Sequence, residues 1–201
     1  MRVRQLSILI VSLSLTVLGV RPDAATAKSK RGPEILIFQL AQVDIPKNSP
    51  PGLEALIRSK FDALMSKQPQ LLPQIPKDAP SMDASVTDRR GNKPFRKYMK
   101  KHRMRPFRVT LEVKQLEMDI KDNPRVAGKL ISAKIQIHMF GETLPFRTMA
   151  FTGDGSATIA IEVGKKVRDK DKRFAREDAA EFAINLAIAA SLQKLKIAQK
   201  K

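Results

Sequence analysis

Proton transfer, metal binding and nucleophilic attack all need side chains that converge, and this sequence offers few at a recognised spacing. Its two histidines are His102 and His138, and it has no cysteine, which excludes a thiol nucleophile and a thiolate-bound metal. Neither histidine has a second histidine or a carboxylate at the interval of a known metal motif. His138 falls on the polar alternation of a strand, which is a surface position. The stretch GDGS at 153–156 sets Asp154 near Ser156. Asp-Gly is a turn dipeptide before it is anything else, so the stretch reads as a tight hairpin. Neither a G-x-S-x-G elbow nor a G-x-x-x-x-G-K phosphate loop occurs, and the nine glycines are scattered. Glu142 and Asp154 are carboxylates that hairpin tips could gather at one sheet end, a generic arrangement. The expectation is a non-enzymatic protein with no catalytic residue, no metal site and no cofactor.

What the sequence does advertise is charge. Lys and Arg number 38 against 20 Asp and Glu, a formal net charge of +18 with a pI near 10.4. Such a field points to anionic surroundings. The density peaks at Arg96–Arg108, RKYMKKHRMRPFR, where seven of thirteen residues are basic. The candidate polyanion contact is Arg96, Lys97, Lys100, Lys101, Arg103, Arg105 and Arg108. A second reading is favoured here. A short helix from Pro94 to Met104 puts Phe95, Tyr98, Met99 and His102 at i, i+3, i+4 and i+7, one apolar face, and leaves the basic residues to a solvated face. Single-strand binders interleave aromatic platforms with basic residues. With no Trp, one Tyr and nine Phe, mostly at core-facing positions, no specific nucleic-acid partner is expected.

The N-terminal residues decide which anions are within reach. Arg2 and Arg4 form a positive n-region, Leu6–Val20 is an apolar run, and Ala25-Thr26-Ala27 has the small residues of a signal-peptidase site. Residues 1–27 therefore read as a secretory signal peptide cleaved near Ala27. Arg21 and Asp23 cut the run short of a membrane span. Its removal takes away Arg2, Arg4, Arg21 and Asp23, leaving 35 basic and 19 acidic residues, +16. A periplasmic or secreted location follows. Without a cysteine the chain has no site for lipid attachment, so a lipoprotein is not expected.

The remaining elements must hold whatever surface acts. After a basic leader at 28–33, residues 34–201 read as a single domain. Glu34–Val43 is apolar enough for a central buried strand. Ser49 is a candidate N-cap with Pro50 and Pro51 in the first turn, and Leu53, Leu56, Ile57, Phe61, Leu64 and Met65 share one face of the helix that follows. Prolines at 69, 73, 76 and 80 turn 68–92 into a long loop. In PFRVTLEVKQLEMDI the apolar parity switches near Lys114, the sign of a bulge. KLISAKIQIHMF alternates cleanly, and GETLP and GDG then read as hairpin turns, giving four antiparallel strands. A charged linker, GKKVRDKDKR, leads to a helix, FAREDAAEFAINLAIAASLQKL. In it Ala179, Ala183, Ala187 and Ala190 form a small-residue stripe beside Phe182, Leu186 and Ala189, suited to close packing on a sheet. The fold class is α+β: two layers, a mainly antiparallel sheet of about five strands with helices on one face.

A buried strand EILIFQLAQVD, then PGLEALIRSKFDALM, a meander, and the Ala-rich EDAAEFAINLAIAASLQKL resemble small periplasmic modules of cell-envelope accessory proteins. Examples are the curli secretion channel subunit, the polysaccharide-export protein PelC and the activators of penicillin-binding proteins. The resemblance covers Glu34 to Leu195 in element order, and no binding residue carries over. It implies a non-catalytic adaptor or assembly part whose partner is an envelope protein. The alternative is a binder of lipopolysaccharide, anionic lipid or polysaccharide through the basic surface.

Overall fold

A computed structural model describes residues 34–83, 91–124 and 127–195. The signal peptide expected at 1–27 and the leader at 28–33 lie outside the described residues. The elements, in chain order, are β1 (Ile35–Asp44), α1 (Leu53–Ser66), β2 (Leu71–Leu72), α2 (Lys93–Lys101), β3 (Met104–Asp122), β4 (Lys129–Thr143), β5 (Met149–Val163) and α3 (Asp169–Lys194). Among the described residues the strands form one sheet in the order β2-β1-β3-β4-β5. This is the expected α+β class with five strands, but the sheet is mixed. β1 runs parallel to both β2 and β3, while β3, β4 and β5 form an antiparallel meander.

The inward face carries one continuous core. Leu36 and Phe38 from β1, Phe107, Val109, Leu111 and Val113 from β3, and Ile131 to Met139 on alternate positions of β4 meet α1 and α3. Under the sheet, Phe38 stacks on Phe151 at 5.0 Å between ring centres, and Phe107 meets both edge-on at 5.7 and 5.3 Å. The parity switch in β3 is the bulge its sequence implies. The ladder with β4 slips between Val113 and Gln115, so Leu116, Met118 and Ile120 return to the core side opposite Ile135, Ala133 and Ile131.

Helices α1 and α3 cover this inward face, whereas α2 lies across the other one. Its Phe95 and Met99 close over Ile37, whose side chain points away from Leu36 and Phe38. That explains the unbroken apolar run at the start of β1, which is covered on both sides. β1 is not central, because β2 pairs with it only at Leu36 and Ile37. Segment 68–83 contributes β2 itself, an element that its prolines hid.

The GDG stretch is not a turn. Residues 153–155 lie within β5, paired with Met139, His138 and Ile137 of β4, so the meander has three strands and not four. The glycines serve helix packing. A Cβ on Gly155 would sit 1.9 Å from the Ala183 carbonyl oxygen, and one on Gly153 would sit 2.3 Å from that of Ala187. The alanine stripe and the two glycines let the α3 backbone rest almost on β5. Ala179, Ala183 and Ala187 are fully buried, while Phe182 and Leu186 point outward.

Helix boundaries differ at three places. α2 ends at Lys101, short of the expected Met104, which opens β3 after Arg103 takes a left-handed φ of 56°. α3 begins at Asp169, inside the stretch that looked like a linker, because the Asp171 carboxylate accepts the Arg168 backbone N–H at 3.0 Å and its Nε at 3.2 Å. Those bonds hold the Asp171 carboxyl below its ordinary pKa. Ser49 does not cap α1; the N-cap is Gly52 at φ 80°, and Pro50 and Pro51 precede the helix. α1 and α3 are tied by Lys60 Nζ on Glu181 Oε2 at 2.8 Å, with Lys67 at 3.6 Å from the other oxygen.

Two outcomes follow from this packing. Gly155→Ala should destabilise the protein by about 1–3 kcal/mol, the cost of overpacking against backbone that cannot move aside. Gly164→Ala, with open space around it, should stay within about 0.5 kcal/mol; equal denaturation midpoints for the two variants would return GDG to a turn. The Lys60 bond also lowers the Glu181 pKa and raises that of Lys60. The pair's stabilisation is therefore present above the ordinary carboxyl value of 4.5 and lost as pH falls through the lowered Glu181 value. At the alkaline end it is present below 10.5 and lost as pH rises through the raised Lys60 value. Glu181→Gln should cost about 0.2–1 kcal/mol at neutral pH, a difference from wild type that disappears in acid; a constant difference in urea melts from neutral pH to acid would contradict the pairing.

Candidate functional site

Helix α2 positions the basic stretch. Phe95 and Met99 seat it on Ile37, and Leu72, Ile75, Ala79, Met82, Tyr98 and Met104 surround that contact. Two polar ties bind it to the proline-rich segment. The Asn92 side chain accepts the Asp83 backbone N–H at 2.8 Å and donates to the Asp83 carbonyl at 2.9 Å. Tyr98 donates its hydroxyl to Asp78 at 2.6 Å. This bond favours the neutral phenol and the ionised carboxylate, so the Tyr98 pKa rises and that of Asp78 falls. His102 stands exposed with its ring 4.4 Å from that of Tyr98.

The seven basic residues do not share one patch. Lys97, Lys100, Lys101 and Arg103 are exposed at α2 and just beyond it. Arg105 reaches Glu34 at 3.3 Å. Arg96 lies over the Phe146 ring at 5.2 Å, which places it beside the loop from β4 to β5. Arg108, half-buried on the outward face of β3, lines a depression of about 170 Å³. Gln39, Leu40, Ala41, Met82, Leu144, Pro145 and Arg147 line the remainder. Ala41 is there because the β1–β3 ladder slips between Leu40 and Gln42.

Sequence reasoning missed Arg147. It lies in the loop after β4 with φ 54°, a left-handed conformation that a long side chain rarely adopts. Its Nε and Nη2 both lie 3.3 Å from Glu142 Oε2. Nothing in LPFRT signals this conformation; the pairing of Arg108 with Glu142 across β3 and β4 becomes visible only once the register is known.

The groups weighed for catalysis are dispersed. His138 Nδ1 meets Asp154 Oδ1 at 2.7 Å across β4 and β5 on the outward sheet face. Glu142, four residues further along β4, engages Arg147 instead, so the two carboxylates serve different basic partners. Among the described residues no three His, Asp or Glu side chains group as metal ligands do.

A second surface lies on α3. Opposite its buried alanines, Phe174, Phe182 and Leu186 are 51%, 56% and 48% exposed. Spacings of eight and four put them on one helix face. Asp178 lies between them on that face, and its pKa is raised, chiefly by burial. Among the described residues no helix is long and apolar enough to cross a membrane.

No family model matches the sequence, and no curated protein does. Solved structures do. One, described as a neuraminyllactose-binding hemagglutinin homologue from Helicobacter pylori, is 12% identical with a TM-score of 0.46, covering 86% of this chain and 92% of that one. A minor lipoprotein from Acinetobacter baumannii is 7% identical with a TM-score of 0.39, over 84% of this chain and 100% of that one. A PelC dodecamer subunit from Paraburkholderia phytofirmans is 7% identical with a TM-score of 0.35, over 80% and 86%. PelC, named in the sequence resemblance, is thus among the structures similar to this chain.

The chain has one tyrosine and no tryptophan, so tyrosinate absorbance reports Tyr98 alone. Asp78→Asn should move its titration midpoint down toward the ordinary phenol value of 10.0; an unmoved midpoint would contradict the Tyr98–Asp78 bond.

Proposed function

We propose that the protein is an exported, non-catalytic accessory protein of the bacterial cell envelope that works as an adaptor, binding another envelope protein through the outward face of α3. The observation that carries this reading is the set Phe174, Phe182 and Leu186, about half exposed on a helix whose other face is fully occupied by the core. Phe182 and Leu186 are one turn apart, Phe174 lies two turns earlier beyond Asp178, and large apolar side chains grouped on an exposed face mark interaction surfaces. Aromatic residues of this kind are common anchors at interfaces. The leader read at 1–27 supports an envelope location. The partner complementing this face is a protein presenting an apolar groove. Contact of that kind survives high salt, unlike one made by exposed charges.

The test compares pull-downs from envelope extract at low and high salt, using the tagged chain and its Phe174→Asp, Phe182→Asp variant. A protein retained at high salt by wild type and lost from the variant is expected. Identical capture by both, or turnover of a defined substrate abolished by a point mutation that leaves the fold intact, would overturn the reading.

A second reading, binding of anionic envelope material, is favoured by Lys97, Lys100 and Lys101, all exposed on α2. Counterion release then makes affinity fall steeply with salt. Lys97→Glu, Lys100→Glu, Lys101→Glu should abolish retention on anionic vesicles at low salt; retention indifferent to salt and to these changes would reject it.

A further inference from the structure

We propose that the depression between the β1 bulge, Met82 and loop 144–148 is a binding site for a phosphoryl group carried on an apolar body, gripped by Arg108 and Arg147. The proposal deepens the anion-binding reading by assigning it a defined site and ligand class. Three observations meet there. The cavity, about 170 Å³, resembles in size the roughly 150 Å³ engineered cavity that admits a benzene ring. Leu40, Ala41, Met82, Leu144 and Pro145 give it an apolar wall, which suits an acyl or ring group more than a bare ion. Arg108 and Arg147 also line it, and guanidinium forks match phosphate oxygens in pairs.

Arg147 shares its left-handed backbone with Arg103 after α2, at φ 54° and 56°, but of the two only Arg147 lines the cavity. Gly or Asn adopts that conformation at less cost. Non-glycine residues held there cluster at ligand clamps, where the side chain is needed despite the backbone. The loop is fixed by Arg147 N–H on the Thr143 carbonyl at 2.7 Å and Leu144 N–H on the Pro106 carbonyl at 3.1 Å. It is therefore tied to β3 and β4 and presents the guanidinium from a firm base. Glu142 holds that guanidinium at 3.3 Å, acting as an internal stand-in for the anion. Arg108, opposite Glu142 in register, has no carboxylate partner among the described residues. Arg96 over Phe146 adds positive charge at the loop beside the cavity. A phosphoryl group would bridge Arg108 and Arg147, displacing Glu142 from the latter.

The shared chemistry is a phosphate ester, and its source is either a membrane lipid headgroup or a soluble ester. Calorimetry on the full chain uses dihexanoyl phosphatidic acid below its micellar concentration, with inorganic phosphate as the control lacking an apolar body; vesicles with and without phosphatidic acid distinguish the membrane source. Saturable one-to-one binding of the short lipid, at least tenfold tighter than inorganic phosphate, is expected. Arg108→Gln and Arg147→Gly should each weaken it tenfold or more. Because Arg147→Gly also relieves the left-handed backbone, its thermal stability should not fall, so lost binding cannot be blamed on unfolding. Glu142→Gln should tighten binding by freeing Arg147, an effect that a merely structural ion pair would not give. Lipid binding unchanged in Arg108→Gln and Arg147→Gly but lost in the α2 lysine variant would overturn the pocket and leave the basic-surface reading standing. No binding of vesicles or short lipid by any form would overturn both.

Discussion

The architecture depends on one close approach, the backbone of α3 lying on the backbone of β5 at Gly153 and Gly155. With side chains at those positions excluded by the Ala183 and Ala187 carbonyls, the helix lies nearer the sheet than a leucine-lined interface would allow. The core is then completed by large residues from the strands and α1, with the phenylalanines at 38, 107 and 151 packed under the sheet. Ile184, Ile188 and Leu192 of α3 are buried with the alanines, and Phe174, Phe182 and Leu186 are left on the side away from the sheet. The exposure of Phe174, Phe182 and Leu186 is a consequence of the same sequence pattern that buries Ala179, Ala183 and Ala187.

The sheet thereby acquires two unlike sides. Inside, α1 and α3 cover a continuous core, pinned by Lys60 and Glu181. Outside, α2 covers only the start of β1, and the rest of the face carries polar pairs such as His138 with Asp154. The border between covered and open regions is where the β1 bulge, Met82 and loop 144–148 converge on Arg108 and Arg147. Apolar and basic surfaces of the molecule are accordingly separated, one on α3 and one around α2. An adaptor that meets a protein through one and anionic material through the other is compatible with this layout.

Strand and helix periods carried most of the fold in the sequence. The alternation of Ile131 to Met139, the parity switch at Lys114 and the spacing from Leu53 to Met65 correspond to β4, the β3 bulge and α1. What escaped is what local pattern does not encode. GDG has turn chemistry, yet tertiary packing of α3 uses its lack of side chains instead. β2 is two residues long and lies among prolines, and the polar start of α3 resembled a linker until Asp171 was seen to cap it. The basic stretch was legible as a helix with an apolar face, but its division is not a sequence property. Arg105 turns to Glu34, Arg96 to Phe146, and Arg108 lines a cavity together with Arg147 from the loop after β4.

The proposal that α3 meets an envelope protein is tested most directly by placing a photo-crosslinking residue at position 182 of the full chain in living bacteria, with position 158 on the open face of β5 as the comparison. A discrete adduct with an envelope protein from position 182, absent from position 158, is the expected result. No adduct at 182, or the same adducts from both positions, would contradict it.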